Sequence, residues 1–180
     1  MQIVQAKRKL LAAILILLAL VAGPALADPL LEAAAKLSVG GYSERIKQVE
    51  AIANLGDPRA IPVLEALSGG NLHVRKSDSL LVIASREGRE YLLSDPLTGA
   101  ELGKAGRRDT KKVKVNNRVR SAVAEALAQL KLVSPDPSTR RRAAEDSAKF
   151  GSQRMLARLR EALGEEQNSE VKAAMQSALI

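Results

Sequence analysis

The sequence predicts a mainly α-helical fold in which a small β-sheet interrupts a series of helical hairpins, preceded by a signal peptide. Three observations lead to this class. Apolar residues recur at helical spacing on both sides of residues 69–115, that middle stretch instead carries short apolar runs between turn signals, and residues 1–27 have the composition of an export signal. Aromatic residues make up only 2% of the 180 residues, which favours closely packed helices of Ala, Leu, Val and Ile.

Residues 1–27 contain the three parts of a secretory signal peptide. A positive region, K-R-K at residues 7–9, precedes an apolar run over residues 10–22, and A-L-A at residues 25–27 is a cleavage site. The apolar run is shorter than the roughly 20 residues that cross a bilayer. We therefore predict cleavage after Ala27 and an exported, periplasmic chain, with an uncleaved membrane anchor as the alternative.

Residues 28–68 predict a first helical hairpin. Ile46, Val49 and Ile52 share one helix face, and Leu55-Gly56 is a typical helix end. Asp57 followed by Pro58 predicts the start of a second helix with Asp57 as its N-cap.

Residues 116–180 predict further helices, arranged as repeats of which the last is incomplete. Asn117 is expected to cap a helix over residues 118–132, whose apolar stripe consists of Val119, Ala122, Val123, Ala126, Leu127 and Leu130. The stretch from Thr139 onward repeats the first hairpin and aligns Arg45 with Arg140. Such units each bury one face, so stacking of neighbours is expected to complete the core.

Residues 69–115 predict a β insertion. Residues 80–84 and 90–93 form a hairpin by composition, residues 95–99 form a turn, and two further strands are expected at residues 72–75 and 112–115. The single histidine, His73, is expected on or beside a strand as a structural residue. With no cysteine and no second histidine, the chain offers no thiolate site or Ser-His pair, and we predict no enzymatic activity, metal or cofactor.

The excess of positive charge is concentrated in one segment. The chain carries 28 basic and 20 acidic residues, and residues 104–120 hold eight of the basic ones beside a single acid, Asp109. The shorter basic run at residues 140–142 reads as a solvated helix face. The eight residues, named here the basic surface, are Lys104, Arg107, Arg108, Lys111, Lys112, Lys114, Arg118 and Arg120.

The basic surface predicts a contact site for anionic lipid headgroups or an acidic protein partner. The alternative is a solvated, partly mobile loop. Nucleic-acid binding is not expected, because neither interleaved aromatic residues nor a recognition motif accompanies the charges.

Two sets of residues resemble known families. The pattern A-x-x-x-L-G-D-P-x-A-x-P-x-L, from Ala51 to Leu64, is similar to HEAT-like repeats. A longer order of motifs resembles the extracytoplasmic N-terminal region of the urea ABC-transporter permease subunit, from the branched-chain amino-acid-type permeases. Its parts are D-P-L-T-G-A-E at residues 95–101, V-N-N-R-V-R at residues 115–120 and L-V-S-P-D-P at residues 132–137.

The second resemblance implies a role in urea uptake at the outer face of the inner membrane. The implied partners are an ABC permease, ATP-hydrolysing subunits and a periplasmic urea-binding protein. These residues contain no Walker-type GxxxxGK[ST] loop and lack the membrane-spanning permease part, so a non-catalytic interaction domain is expected. The alternative is a free periplasmic HEAT-like scaffold or adaptor protein unrelated to urea.

Overall fold

A computed structural model describes residues 28–180, in which seven helices and five strands occur. The helices are α1 (Pro29–Lys36), α2 (Tyr42–Leu55), α3 (Ala60–Gly69), α4 (Asn117–Lys131), α5 (Pro137–Ser147), α6 (Gln153–Glu165) and α7 (Ser169–Ala178). The strands are β1 (Leu72–Arg75), β2 (Leu81–Glu87), β3 (Glu90–Ser94), β4 (Glu101–Gly106) and β5 (Thr110–Lys112). The mainly α class with a small inserted sheet is confirmed. The predicted signal peptide lies outside the described residues.

The ends of the first helices follow from local capping chemistry. The helix α1, which the sequence reasoning missed, is capped by Asp28, whose Oδ1 accepts a hydrogen bond from Leu30 N at 3.0 Å. The predicted end of α2 is confirmed, since Gly56 has a φ of 66°, a left-handed conformation that glycine adopts without a Cβ penalty.

Two predicted helix starts are wrong, the first by two residues and the second by one. Asp57 does not cap α3, because residues 57–60 form a tight turn in which Ala60 N donates to Asp57 O at 3.0 Å, and the helix begins at Ala60. The cap of α4 is Asn116 rather than Asn117. The extended backbone of Asn116 lets its Oδ1 accept from Val119 N at 3.0 Å, three residues ahead, which is the geometry of an N-cap.

The helices pack around two hydrophobic cores that meet at α4. The first core joins α1, α2, α3 and one face of the sheet to the predicted stripe of α4, in which Val119, Val123, Ala126 and Leu130 are buried. The second core joins α5, α6 and α7 to Ala128 and Leu132. The most extensive helix contacts are α2 with α4 and α5 with α7, whereas the consecutive helices of each predicted hairpin touch far less.

The sheet is antiparallel, with the order β4-β3-β2-β1-β5. Its two edge strands are joined by only three residues, 107–109, and Asp109 N donates to Gly106 O at 3.0 Å in this turn. A flat sheet of five strands would separate its edges by about 19 Å, whereas this connection spans at most about 14 Å. The sheet therefore curls, and Arg75 Nη1 on β1 reaches Leu102 O on β4 at 3.3 Å.

The curled sheet encloses a third, small core of Val82, Ala84 and Leu93 on the face opposite the helices. The strand β4 was not predicted, because its sequence E-L-G-K-A-G has two glycines and no β-branched residue. The predicted strand at residues 112–115 is observed earlier, as β5, where it pairs with β1 at the edge of the sheet.

The capping hydrogen bond of Asn116 is expected to stabilise the protein. Replacing Asn116 by Ala should lower the free energy of unfolding by about 1 kcal/mol, because Val119 N loses its acceptor. Urea unfolding followed by circular dichroism measures this difference. The control is Asn117→Ala, which should change stability by only a few tenths of a kcal/mol. The reverse order would contradict the assigned cap.

Candidate functional site

All eight residues of the basic surface are exposed, and they follow one continuous path. Lys104 lies on β4, Arg107 and Arg108 form the turn to β5, and Lys111 and Lys112 lie on β5. Lys114 is in the loop to α4, whose first turn carries Arg118 and Arg120. The path begins at one edge strand of the curled sheet and ends at the helix shared by the two large cores.

Only one member of the basic surface has its charge compensated within residues 28–180. Lys104 Nζ lies 3.0 Å from Glu87 Oε2, and this contact raises the pKa of the lysine. The other seven form no ion pair with any described residue. Seven exposed and uncompensated cations therefore remain between residues 107 and 120.

Three of these cations border a cleft of about 400 Å³ between β5 and the start of α2. The cleft is lined by Lys111, Lys112 and Lys114 on one side, and by Tyr42 and Arg45 on the other. We name it the Arg45 cleft. The remaining five members of the basic surface lie outside it.

Arg45 is a buried residue of the site that the sequence reasoning did not select. Only 5% of its surface is exposed, and its guanidinium donates to Leu37 O at 2.8 Å, Lys114 O at 3.0 Å and Gly40 O at 3.3 Å. Its central carbon lies 5.9 Å from the ring centre of Tyr42, within cation–π range. These bonds join the α1–α2 loop to the loop that carries Lys114.

The alignment of Arg45 with Arg140 was a signal for this residue. Arg140, expected on a solvated helix face, is instead largely buried and is bound by a carboxylate. Its Nε donates to Glu166 Oε2 at 2.6 Å and its Nη2 donates to Glu166 Oε1 at 2.9 Å. Arg140 and the backbone N–H groups of Gln167 and Asn168 lower the pKa of Glu166 from 4.5 to about 2.

Lys112 also influences the buried histidine of the sheet. It is the strand partner of His73, and its ammonium rests against the backbone of Gly70, where a side chain would collide with it. His73 is on a strand, as predicted, with Nδ1 3.0 Å from Thr110 Oγ1 and its ring in a T-shaped contact with Tyr91. Burial, and then the charge of Lys112, lower the pKa of His73 below its ordinary value of 6.5.

Within residues 28–180, no group of three or more His, Cys, Asp and Glu side chains is placed to hold a metal ion. None of the helices formed by these residues is both long enough and apolar enough to cross a membrane. Comparison with known proteins gave no matching family model, curated protein or solved structure.

The contact between Lys112 and the histidine environment can be tested by titration. Replacing Lys112 by Gln should raise the pKa of His73, because a positive charge that opposes imidazole protonation is removed. An NMR titration of the imidazole protons measures this pKa. The matched control is Lys114→Gln, which removes the same charge without a strand partner in the sheet. A histidine pKa that stays unchanged or falls in Lys112→Gln would contradict the described geometry.

The Arg140–Glu166 pair predicts a specific acid sensitivity. Because the carboxyl pKa is lowered by folding, the pair stabilises the folded state above about pH 4.5, and this contribution is lost as the pH falls toward 2. Glu166→Gln should therefore flatten the pH dependence of the unfolding free energy in this window. The control is the exposed neighbour Glu165→Gln. Equal pH profiles of the Glu166 variant and the unmodified protein would overturn the assignment.

Proposed function

We propose that this protein is a non-catalytic extracytoplasmic interaction domain that serves a urea-type ABC importer, and that the basic surface makes the contact. The observation that carries the proposal is the set of seven uncompensated, exposed cations between residues 107 and 120. Charges presented in this way attract an acidic partner and accelerate its association. The link to urea uptake is supported by the motifs at residues 95–101, 115–120 and 132–137.

The proposal extends to the helical architecture, for which we infer HEAT-like repeats. The motif at residues 51–64 supports this, as does the matching position of two arginines. Arg45 N donates to Gly41 O at 3.2 Å, and Arg140 N donates to Asp136 O at 3.1 Å, so each arginine stands four residues after its helix cap. Each guanidinium also donates to carbonyl groups of the loop before its own helix.

The proposed location is the periplasm, at the outer face of the inner membrane, and it is supported by the export signal in the composition of residues 1–27. The non-catalytic role is supported by the surroundings of the one histidine. His73 is bonded to Thr110 and packed against Tyr91, so its ring is held as part of the sheet. In this proposal the protein acts by binding to transporter components.

A pull-down from periplasmic and membrane extracts tests the proposed partners. With the unmodified protein as bait, we expect capture of the permease, the ATP-hydrolysing subunits or the urea-binding protein. Changing Lys111, Lys112 and Lys114 to Glu should reduce this capture at least about tenfold at low salt, because attraction becomes repulsion. Quantitative mass spectrometry of the captured proteins provides the measurement.

The control changes three exposed arginines elsewhere to Glu. These are Arg89, Arg142 and Arg160, which are also without ion pairs among the described residues. It changes the net charge by the same amount. Equal capture by both triple variants would show that the basic surface is not the contact. Reproducible capture of proteins unrelated to a transporter would instead favour the scaffold function.

A further inference from the structure

Arg45 and Arg140 occupy equivalent positions in two helices but differ in the partner of their charge. Both lie four residues after the helix cap, and both donate hydrogen bonds to carbonyl groups of the preceding loop. At Arg140, the two oxygens of Glu166 accept hydrogen bonds from Nε and Nη2 of the guanidinium. At Arg45, the same two nitrogens donate to Leu37 O and Gly40 O, and Nη1 donates to Lys114 O, so all three acceptors are neutral carbonyls.

Arg45 pairs with no carboxylate among residues 28–180. None lies within 4.0 Å of its guanidinium in residues 28–180, and residues 1–27 contain neither Asp nor Glu. Glu44 is nearby, but its Oε2 accepts from Gly41 N at 3.0 Å. The guanidinium of Arg45, a residue that is only 5% exposed, thus donates only to neutral carbonyl groups and lies beside the Tyr42 ring. Burying a charge in this way is costly unless an opposite charge compensates it.

The Arg45 cleft has the donors and the charge that an anion requires. Arg45 gives three of its five N–H groups to carbonyl oxygens, which leaves two without an acceptor in the described part of the chain. Lys111, Lys112 and Lys114 line the same cleft; Lys111 and Lys114 add two charges, whereas the ammonium of Lys112 rests against Gly70. Among the described residues that form its walls, none is an acid.

We propose that the Arg45 cleft binds a phosphate group, which accepts hydrogen bonds from the two N–H groups that Arg45 leaves free and supplies an opposite charge, as Glu166 does by another edge at Arg140. Phosphate is favoured over a carboxylate because the three cationic residues Arg45, Lys111 and Lys114 match a group of up to two negative charges better than a group of one. The phosphate is either free, as the ion or a small monoester, or part of an anionic phospholipid headgroup. This phosphate is a ligand for part of the basic surface. A lipid source for it rests on the proposed function, which puts the protein at a membrane.

Binding of the free group is tested by NMR titration of the purified protein with inorganic phosphate and with glycerol 3-phosphate at constant ionic strength. We expect saturable shifts confined to the amides of residues 38–45 and 111–114. Acetate at the same ionic strength should bind at least about tenfold more weakly. Equal affinity for acetate, or small shifts spread over the whole basic surface, would overturn the assignment of a phosphate site.

Matched double variants separate the cleft from general electrostatic attraction. Lys111→Gln with Lys114→Gln removes two charges that line the cleft, and should weaken phosphate binding about tenfold or more. Arg107→Gln with Arg108→Gln removes two exposed charges outside the cleft, and should change the affinity less than about twofold. Equal loss in both variants would overturn the proposal.

A third variant, Arg45→Lys, keeps the positive charge but removes the fork. We expect loss of phosphate binding at unchanged net charge, with circular dichroism reporting whether the helices remain folded. If this variant does not fold, the two double variants still decide the question, because their lysines and arginines make no ion pair among the described residues. A folded Arg45→Lys protein with full phosphate affinity would overturn the role of Arg45.

Vesicle binding identifies the source of the phosphate. A lipid headgroup is assigned if the protein binds vesicles that contain phosphatidylglycerol but not vesicles of pure phosphatidylcholine, and if glycerol 3-phosphate displaces it. Saturable NMR shifts without vesicle binding assign the free group. No localised saturation in any arm would overturn the proposal. Its failure is distinct from that of the proposed function, since capture of transporter components could still depend on Lys111, Lys112 and Lys114. Phosphate binding without such capture would remove only the urea-importer role.

Discussion

Two hydrophobic cores share α4, and the arrangement of the other elements depends on this double burial. Val119, Val123 and Ala126 enter the first core, whereas Ala128, two residues further and therefore about 200° around the helix, enters the second. A helix that is apolar on two sides cannot rotate without exposing one of them to water. The relative placement of the two groups of helices is thus fixed through the backbone of one element.

The start of α4 also determines how the basic surface is presented. Asn116, as the N-cap, makes α4 begin at a defined residue. The chain before it is therefore not helical, and Lys114 O can accept a hydrogen bond from Arg45. On the other side, Val113 N donates to Leu72 O at 2.9 Å and continues the ladder of β5 with β1. Lys111, Lys112 and Lys114 therefore project from an ordered backbone, in contrast to the mobile loop that composition alone allows.

Signals that act over a few residues were readable in the sequence. The apolar stripe of α4, the helix end at Gly56 and the turn in which Asp95 Oδ1 accepts from Leu97 N and Thr98 N were all predicted from spacing and capping chemistry. The one-residue error at Asn116 arose because two adjacent asparagines offer the same side chain. Only the backbone conformation distinguishes which of them is the cap.

Features that depend on distant residues were not predictable in the same way. Arg45 and Lys114 are 69 positions apart, and Arg140 and Glu166 are 26 positions apart, so no local pattern joins either pair. The strand β4 forms through its pairing with β3 and not through its own residue preferences. The segment of the basic surface could be found from composition, whereas the cleft that organises three of its lysines required the tertiary structure.

The sheet has one further consequence for the chain as a whole. Its first and last strands are neighbours, and Val113 N lies within hydrogen-bond distance of Leu72 O, so the polypeptide enters and leaves the insertion at almost the same point. A segment whose two ends meet in this way adds little strain to the helices that flank it, since α3 and α4 would remain close even if a short linker replaced the strands. The insertion is thus joined to the helices at a single point of the chain, but its inner face fills part of the first core, so removing it would also expose the surface that Leu72 and Val113 now cover.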